Sequence, residues 1–83
     1  MPIRVKVLYF GQTRDASGTG EEDFSLPDSA TLQTLLEGVR SKHNKLAKIA
    51  GAVQLALNEE VAKGDERVKD GDVVALIPPV AGG

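Results

Sequence analysis

Eighty-three residues without a single cysteine make one small domain, near the lower limit of what a single apolar core stabilises, and exclude both a disulfide framework and a thiolate metal site. Ten basic and twelve acidic residues leave a net charge of −2; with neither a basic excess nor a basic stripe, nucleic acid is not an expected partner. No apolar stretch approaches membrane-spanning length, and Met1-Pro2-Ile3-Arg4-Val5-Lys6 resembles no secretory signal, so the expected setting is cytoplasmic, with no membrane partner.

In chain order, residues 3 to 10 predict a strand, because Ile3, Val5, Val7 and Tyr9 alternate with Arg4 and Lys6. The alternation breaks at Leu8 and Phe10, apolar on the face that began polar, so that a neighbouring element or a partner should cover that end of the strand. Residues 11 to 20 read as a loop, with Asp15, Ser17, Gly18 and Gly20 supplying turn chemistry. Residues 22 to 26 read as a return strand, ended by Pro27-Asp28-Ser29. Leu32, Leu35, Leu36 and Val39 fall at i, i+3, i+4 and i+7, the stripe of an amphipathic helix. Thr31 or Ser29 is its expected N-cap, and Arg40, Lys42 and His43 suit the negative end of its dipole.

Residues 44 to 50 predict a shorter helical turn before Gly51, and residues 53 to 57 a further strand. Asn58-Glu59-Glu60 turns the chain, with Asn58 able to adopt left-handed backbone angles. Residues 61 to 68 read as irregular or short strand around Gly64-Asp65, and Asp70-Gly71 is a strong turn signal. Val73-Val74-Ala75-Leu76-Ile77 is apolar throughout and is expected inside the sheet. The resulting order predicts an α+β domain over residues 1–77: a mixed sheet packed on one main helix, a ubiquitin-like β-grasp with the first and last strands parallel at its centre. The acidic clusters Glu21-Glu22-Asp23, Glu59-Glu60, Asp65-Glu66, Asp70 and Asp72 suit solvated turns and strand ends, or alternatively a partner with a basic docking face.

Little suggests a self-contained enzyme. His43 is the only histidine and no nucleophile–base pair is apparent; it reads as a helix-end residue. Asp70 and Asp72 around a turn glycine are too few for a metal site, and no phosphate-cradling glycine loop is present, so no bound cofactor is expected and any ATP must be handled by another protein. Residues 78–83 are different. Pro78-Pro79 ends the last strand, since proline lacks the amide hydrogen and fixes φ. Val80-Ala81-Gly82-Gly83 then forms a flexible tail whose last two residues have no side chain. Pro78 to Gly83 spans at most about 20 Å at ~3.3–3.6 Å per residue, enough to deliver a terminal carboxyl into another protein's narrow site.

Lys6-Val7-Leu8-Tyr9-Phe10-Gly11, Ala56-Leu57-Asn58-Glu59-Glu60 and Asp70 to Gly83 resemble, in order and over essentially the whole chain, the small subunits of molybdopterin synthases, in the ubiquitin-like family of molybdopterin and thiamin sulfur carriers. The terminal block is the specific part. The resemblance implies a sulfur carrier for molybdenum-cofactor biosynthesis. A ubiquitin-activating-type adenylyltransferase uses ATP to adenylate the carboxylate of Gly83, and a sulfur donor protein converts the acyl-adenylate to a thiocarboxylate. The tail then enters the large synthase subunit and gives its sulfur to cyclic pyranopterin monophosphate. The working synthase it implies is a heterotetramer, with the carrier non-catalytic on its own.

The resemblance also implies partner contacts at Phe10, Val61 and Ile77, on an apolar face that meets the large subunit, at Arg14, and along Pro78, Pro79, Val80 and Ala81, with Gly82 giving passage to Gly83. The alternatives are that Phe10, Val61 and Ile77 are core residues and that Arg14 is simply solvated. Ala81 departs from the Ser or Thr common in the family, which leaves the mechanism intact and bears on fit to the partner. Rival readings are a carrier or protein modifier of the same fold serving tRNA thiolation or thiamin synthesis, and a plain interaction module with incidental terminal glycines. The thiamin carriers are usually shorter and lack the double proline.

Overall fold

The computed structural model describes residues 2–48 and 53–78. Pro79, Val80, Ala81, Gly82 and Gly83, and with them most of the expected tail, lie outside the described residues, as does the end of the helical turn expected up to residue 50.

Strand β1 (Ile3–Tyr9) places Val5, Val7 and Tyr9 in the core, as the alternation requires. Strand β2 (Glu21–Leu26) runs antiparallel to it, with Val5 opposite Phe24. Helix α2 (Leu32–Lys42) begins at Thr31, whose hydroxyl accepts the Thr34 amide at 3.4 Å, so Thr31 rather than Ser29 is the N-cap. Its next free amides are met by a later segment of the chain: Leu32 N donates to Glu66 O and Gln33 N to Gly64 O, each at 2.9 Å. A 3₁₀ turn (Asn44–Lys48) follows and buries Leu46.

Strands β3 (Gln54–Leu57) and β4 (Glu60–Ala62) are joined by Asn58 and Glu59, both at positive φ (50° and 73°), the two-residue turn whose twist matches a hairpin. Asn58 also holds the start of β5 (Val73–Ile77): its side-chain Oδ1 accepts the Val73 amide and its Nδ2 donates to Asp72. The sheet order is β2-β1-β5-β3-β4, with β5 parallel to β1 and antiparallel to β3. This is the expected β-grasp, with the first and last strands at its centre. Leu32, Leu35 and Val39 of α2 close the core against Val5, Val7, Val74 and Leu76. Among the described residues no helix is long and apolar enough to cross a membrane.

One expectation is corrected. Residues 11 to 20, read as a loop, contain helix α1 (Gly11–Ser17), ended by Gly18 in the left-handed conformation. Seven residues do not hold a helix alone. Here Phe10 O accepts the Thr13 amide at 3.0 Å, and the Thr13 hydroxyl binds back to the Phe10 amide at 2.8 Å. Ala16 packs on the core, so tertiary contacts supply what local propensity lacks.

Several acidic residues serve the turns, as the solvated-turn reading expects. Asp70 accepts the Arg4 amide, Asp72 the Lys69 amide, and Glu66 the amides of Lys63 and Gly64. Those two amides, first Lys63 and then Gly64, hold the Glu66 carboxyl below its ordinary range.

Candidate functional site

The described elements that pack on the sheet join a single core, α1 through Ala16, α2 through its apolar stripe and the 3₁₀ turn through Leu46. The opposite face is left open. Register shows what it carries. Leu8 stands beside Ala75, Ala75 opposite Ala56, and Ala56 opposite Val61, an apolar row across four strands. Two residues further along the central strands lie Ile77 and, just past the end of β1, Phe10.

Phe10 is 49% exposed, Val61 72% and Ile77 36%, the exposed large hydrophobic residues among those described. The core reading of these three is therefore excluded. Phe10 and Ile77 line one shallow groove of about 540 Å³ with Leu8, Ala75, Val73 and Ala56, and Asn58 and Glu59 form its polar margin. Val61 sits at the β4 edge of the same face. Exposed apolar residues gathered on one face of a sheet are what a partner would cover.

The tail springs from this face. Ile77 ends β5, and the half-buried Pro78 follows, its ring close against Gly11: a Cβ on Gly11 would come within 3.0 Å of Pro78 Cγ, and Gly11 itself lies at φ +52°. Arg14 is exposed on α1 and lies beside Gly20; it does not line the groove.

Sequence reasoning reached Leu8 and Phe10 through their broken alternation. It missed Val73 and Ala75, because a run apolar at every position does not reveal which residues face the core, and Ala56, which alternates with Leu55 and Leu57 on the face of Gln54; a central strand covered by helices on one side only was the available signal. It also missed the contact of Gly11 with Pro78.

A second depression, of about 700 Å³, lies towards the start of β1 and is lined by Arg4, Lys6, Asp23, Asp70 and Asp72 among others. Lys6 there is paired with Glu21 at 3.1 Å. Opposite charges interleaved in this way give no net field to select a ligand. His43 caps the C-terminus of α2, as expected of a helix-end residue, and Glu22 engages its ring at 2.8 Å.

Comparison with known proteins matches this arrangement. The model of the ThiS family matches residues 7–83. A molybdopterin synthase sulfur carrier subunit of Chlamydomonas reinhardtii is 37% identical over 83 residues, covering 98% of this chain and 100% of the relative. Among solved structures, one described as a molybdopterin converting factor, subunit 1, from Pyrococcus furiosus superposes with a TM-score of 0.86 at 35% identity, covering 94% of this chain and 99% of that one. A chain from the complex of subunits 1 and 2 of the Helicobacter pylori molybdopterin-converting factor gives a TM-score of 0.67 at 30% identity, over 98% of this chain and 100% of its own.

Proposed function

The chain belongs to the ThiS family, and from that premise we propose that it is the sulfur carrier subunit of a molybdopterin synthase, in molybdenum-cofactor biosynthesis. The observation that carries the reading is the open apolar face that reaches Ile77, the residue directly before the root of the tail at Pro78. One surface docks, and the segment leaving its edge delivers. A relative of the same fold is known in complex with its second subunit, which supports a large-subunit partner for this chain.

The chemistry follows from the tail's composition. An α-carboxyl has a pKa of about 3.3–3.7 and is ionised at neutral pH. The Gly83 carboxylate attacks the α-phosphate of ATP held by a ubiquitin-activating-type adenylyltransferase, and pyrophosphate leaves. A donor sulfur then displaces AMP from the acyl carbon and leaves a thiocarboxylate. Adenylation thus turns a poor electrophile into a good one and splits a hard substitution into two easier ones. Without a Cβ at Gly82 and Gly83, the reacting group passes a channel closed to bulkier residues. In the large subunit the thiocarboxylate gives its sulfur to cyclic pyranopterin monophosphate. Phe10, Val61 and Ile77 are the docking residues of this scheme, and Arg14 is a separate exposed contact on α1.

Intact mass tests it. After incubation with the adenylyltransferase, ATP and a sulfur donor, the chain is expected to gain the mass of one oxygen replaced by sulfur, and to lose it on addition of large subunit and precursor as dithiolene product appears. A gain that persists with this acceptor would redirect the carrier to another thiolation pathway. No gain, with the adenylyltransferase active on a control carrier, would leave an interaction module.

A further inference from the structure

Thr13 is fully buried and is the buried polar side chain among the described residues. Its hydroxyl accepts the Phe10 amide at 2.8 Å, and its one proton lies within reach of two carbonyls, Phe10 O at 2.6 Å and Leu76 O at 3.2 Å. The second of these ties α1 to the end of β5, 63 residues further along the chain. Gly11, two residues before Thr13, meets Pro78. The first turn of α1 therefore grips both the last residues of the central strand and the first residue of the tail.

We propose that Thr13 is a positioning residue for sulfur loading and delivery: its hydroxyl, with Gly11 against Pro78, sets the direction in which the tail leaves the domain. The inference rests on the sulfur-carrier reading. Proline fixes φ, so what holds Pro78 fixes the direction of the chain at the root of the tail. Reacting groups are sensitive to their approach, a misplacement of about 1 Å being able to cost on the order of a hundredfold in rate. Thr13 does not line the open face but holds the Phe10 backbone at its margin, so docking and tail direction are told apart by KM against kcat.

The test is steady-state thiocarboxylate formation with the complete chain as substrate of the adenylyltransferase and sulfur donor. Thr13→Val fills the same space without the hydroxyl; kcat is expected to fall about tenfold or more while KM for the chain stays within about twofold, and Thr13→Ser is expected to restore kcat to within about threefold. A merely structural Thr13 would lower the melting temperature and leave kcat unchanged well below it, and that result overturns the proposal. Should Thr13→Val fail to fold, Gly11→Ala presses on Pro78 with the hydroxyl in place. A fall in its kcat supports the clamp, and an unchanged kcat overturns it. If the unaltered chain gains no sulfur, the carrier reading fails and takes the clamp with it; if it does and the variants match it, only the clamp fails.

Discussion

Glu22 on β2 holds one side chain from β1 and two from the C-terminal end of α2. Its Oε1 accepts the Tyr9 hydroxyl at 2.9 Å and meets His43 Nε2 at 2.8 Å, while Oε2 pairs with Lys42 Nζ at 2.6 Å. Burial by itself would raise this carboxyl; hydrogen bonds from Lys42, His43 and Tyr9 outweigh it and hold the group down at about 2. The Tyr9 phenol is displaced the other way, first by burial and then by the carboxylate beside it. A depressed carboxyl stabilises the fold fully above its ordinary value of 4.5 and loses that contribution as pH falls from there towards 2. Glu22→Gln is accordingly expected to cost about 1–2 kcal/mol near neutral pH. The gap from the unaltered chain should close as the medium is acidified below 4.5, which denaturant titrations at a series of pH values would show. A gap that stays constant with pH would mean that the carboxylate charge contributes nothing.

At the scale of elements, the open face and the core face of the sheet are made from the same kinds of residue, and only register separates them. Phe10→Ala is expected to weaken binding to the large subunit about tenfold or more, as an aromatic anchor at an interface does, and Val61→Asp to do likewise. Both should leave unfolding stability within about 0.5 kcal/mol, since neither side chain supports the core. Calorimetric titration beside chemical denaturation checks this, and a loss in stability larger than the loss in binding would return these residues to the core. The break in alternation at Leu8 and Phe10 made part of this face legible in the sequence. The helix over Leu32–Val39 and the turns at Asn58 and Asp70-Gly71 were legible too, because each rests on local spacing or local backbone chemistry. Helix α1 was not. Gly11, Thr13 and Ser17 disfavour a helix one by one, and besides the local Phe10–Thr13 bonds it is held by Ala16 in the core and by the Thr13 hydroxyl at Leu76 O, which no local window contains. The faces of Val73 and Ala75 were hidden for a related reason: period two cannot be read from a run with no polar residue in it.

For the molecule as a whole, β5 is the keystone, flanked by β1 and β3 and covered by α2. Leu76, 2% exposed, is one of its two buried residues. Leu76→Ala should cost about 2–5 kcal/mol, a large part of the roughly 5–15 kcal/mol that holds a domain of this kind together. Thermal unfolding is expected to move down by at least about 10 °C; a shift of a degree or two would show that the core repacks around the gap. The parallel pairing of β1 with β5 has a consequence for synthesis. A ribosome makes the chain from its N-terminus, so β1–β2 and β3–β4 must wait as separate hairpins, with apolar edges unpaired, until Val73–Ile77 emerges to join them. A product cut short before that point cannot close its sheet, and exposed edges of this kind invite proteolysis and aggregation. Folding thereby couples order to length: a chain that lacks its last strand cannot assemble the sheet that carries the open face.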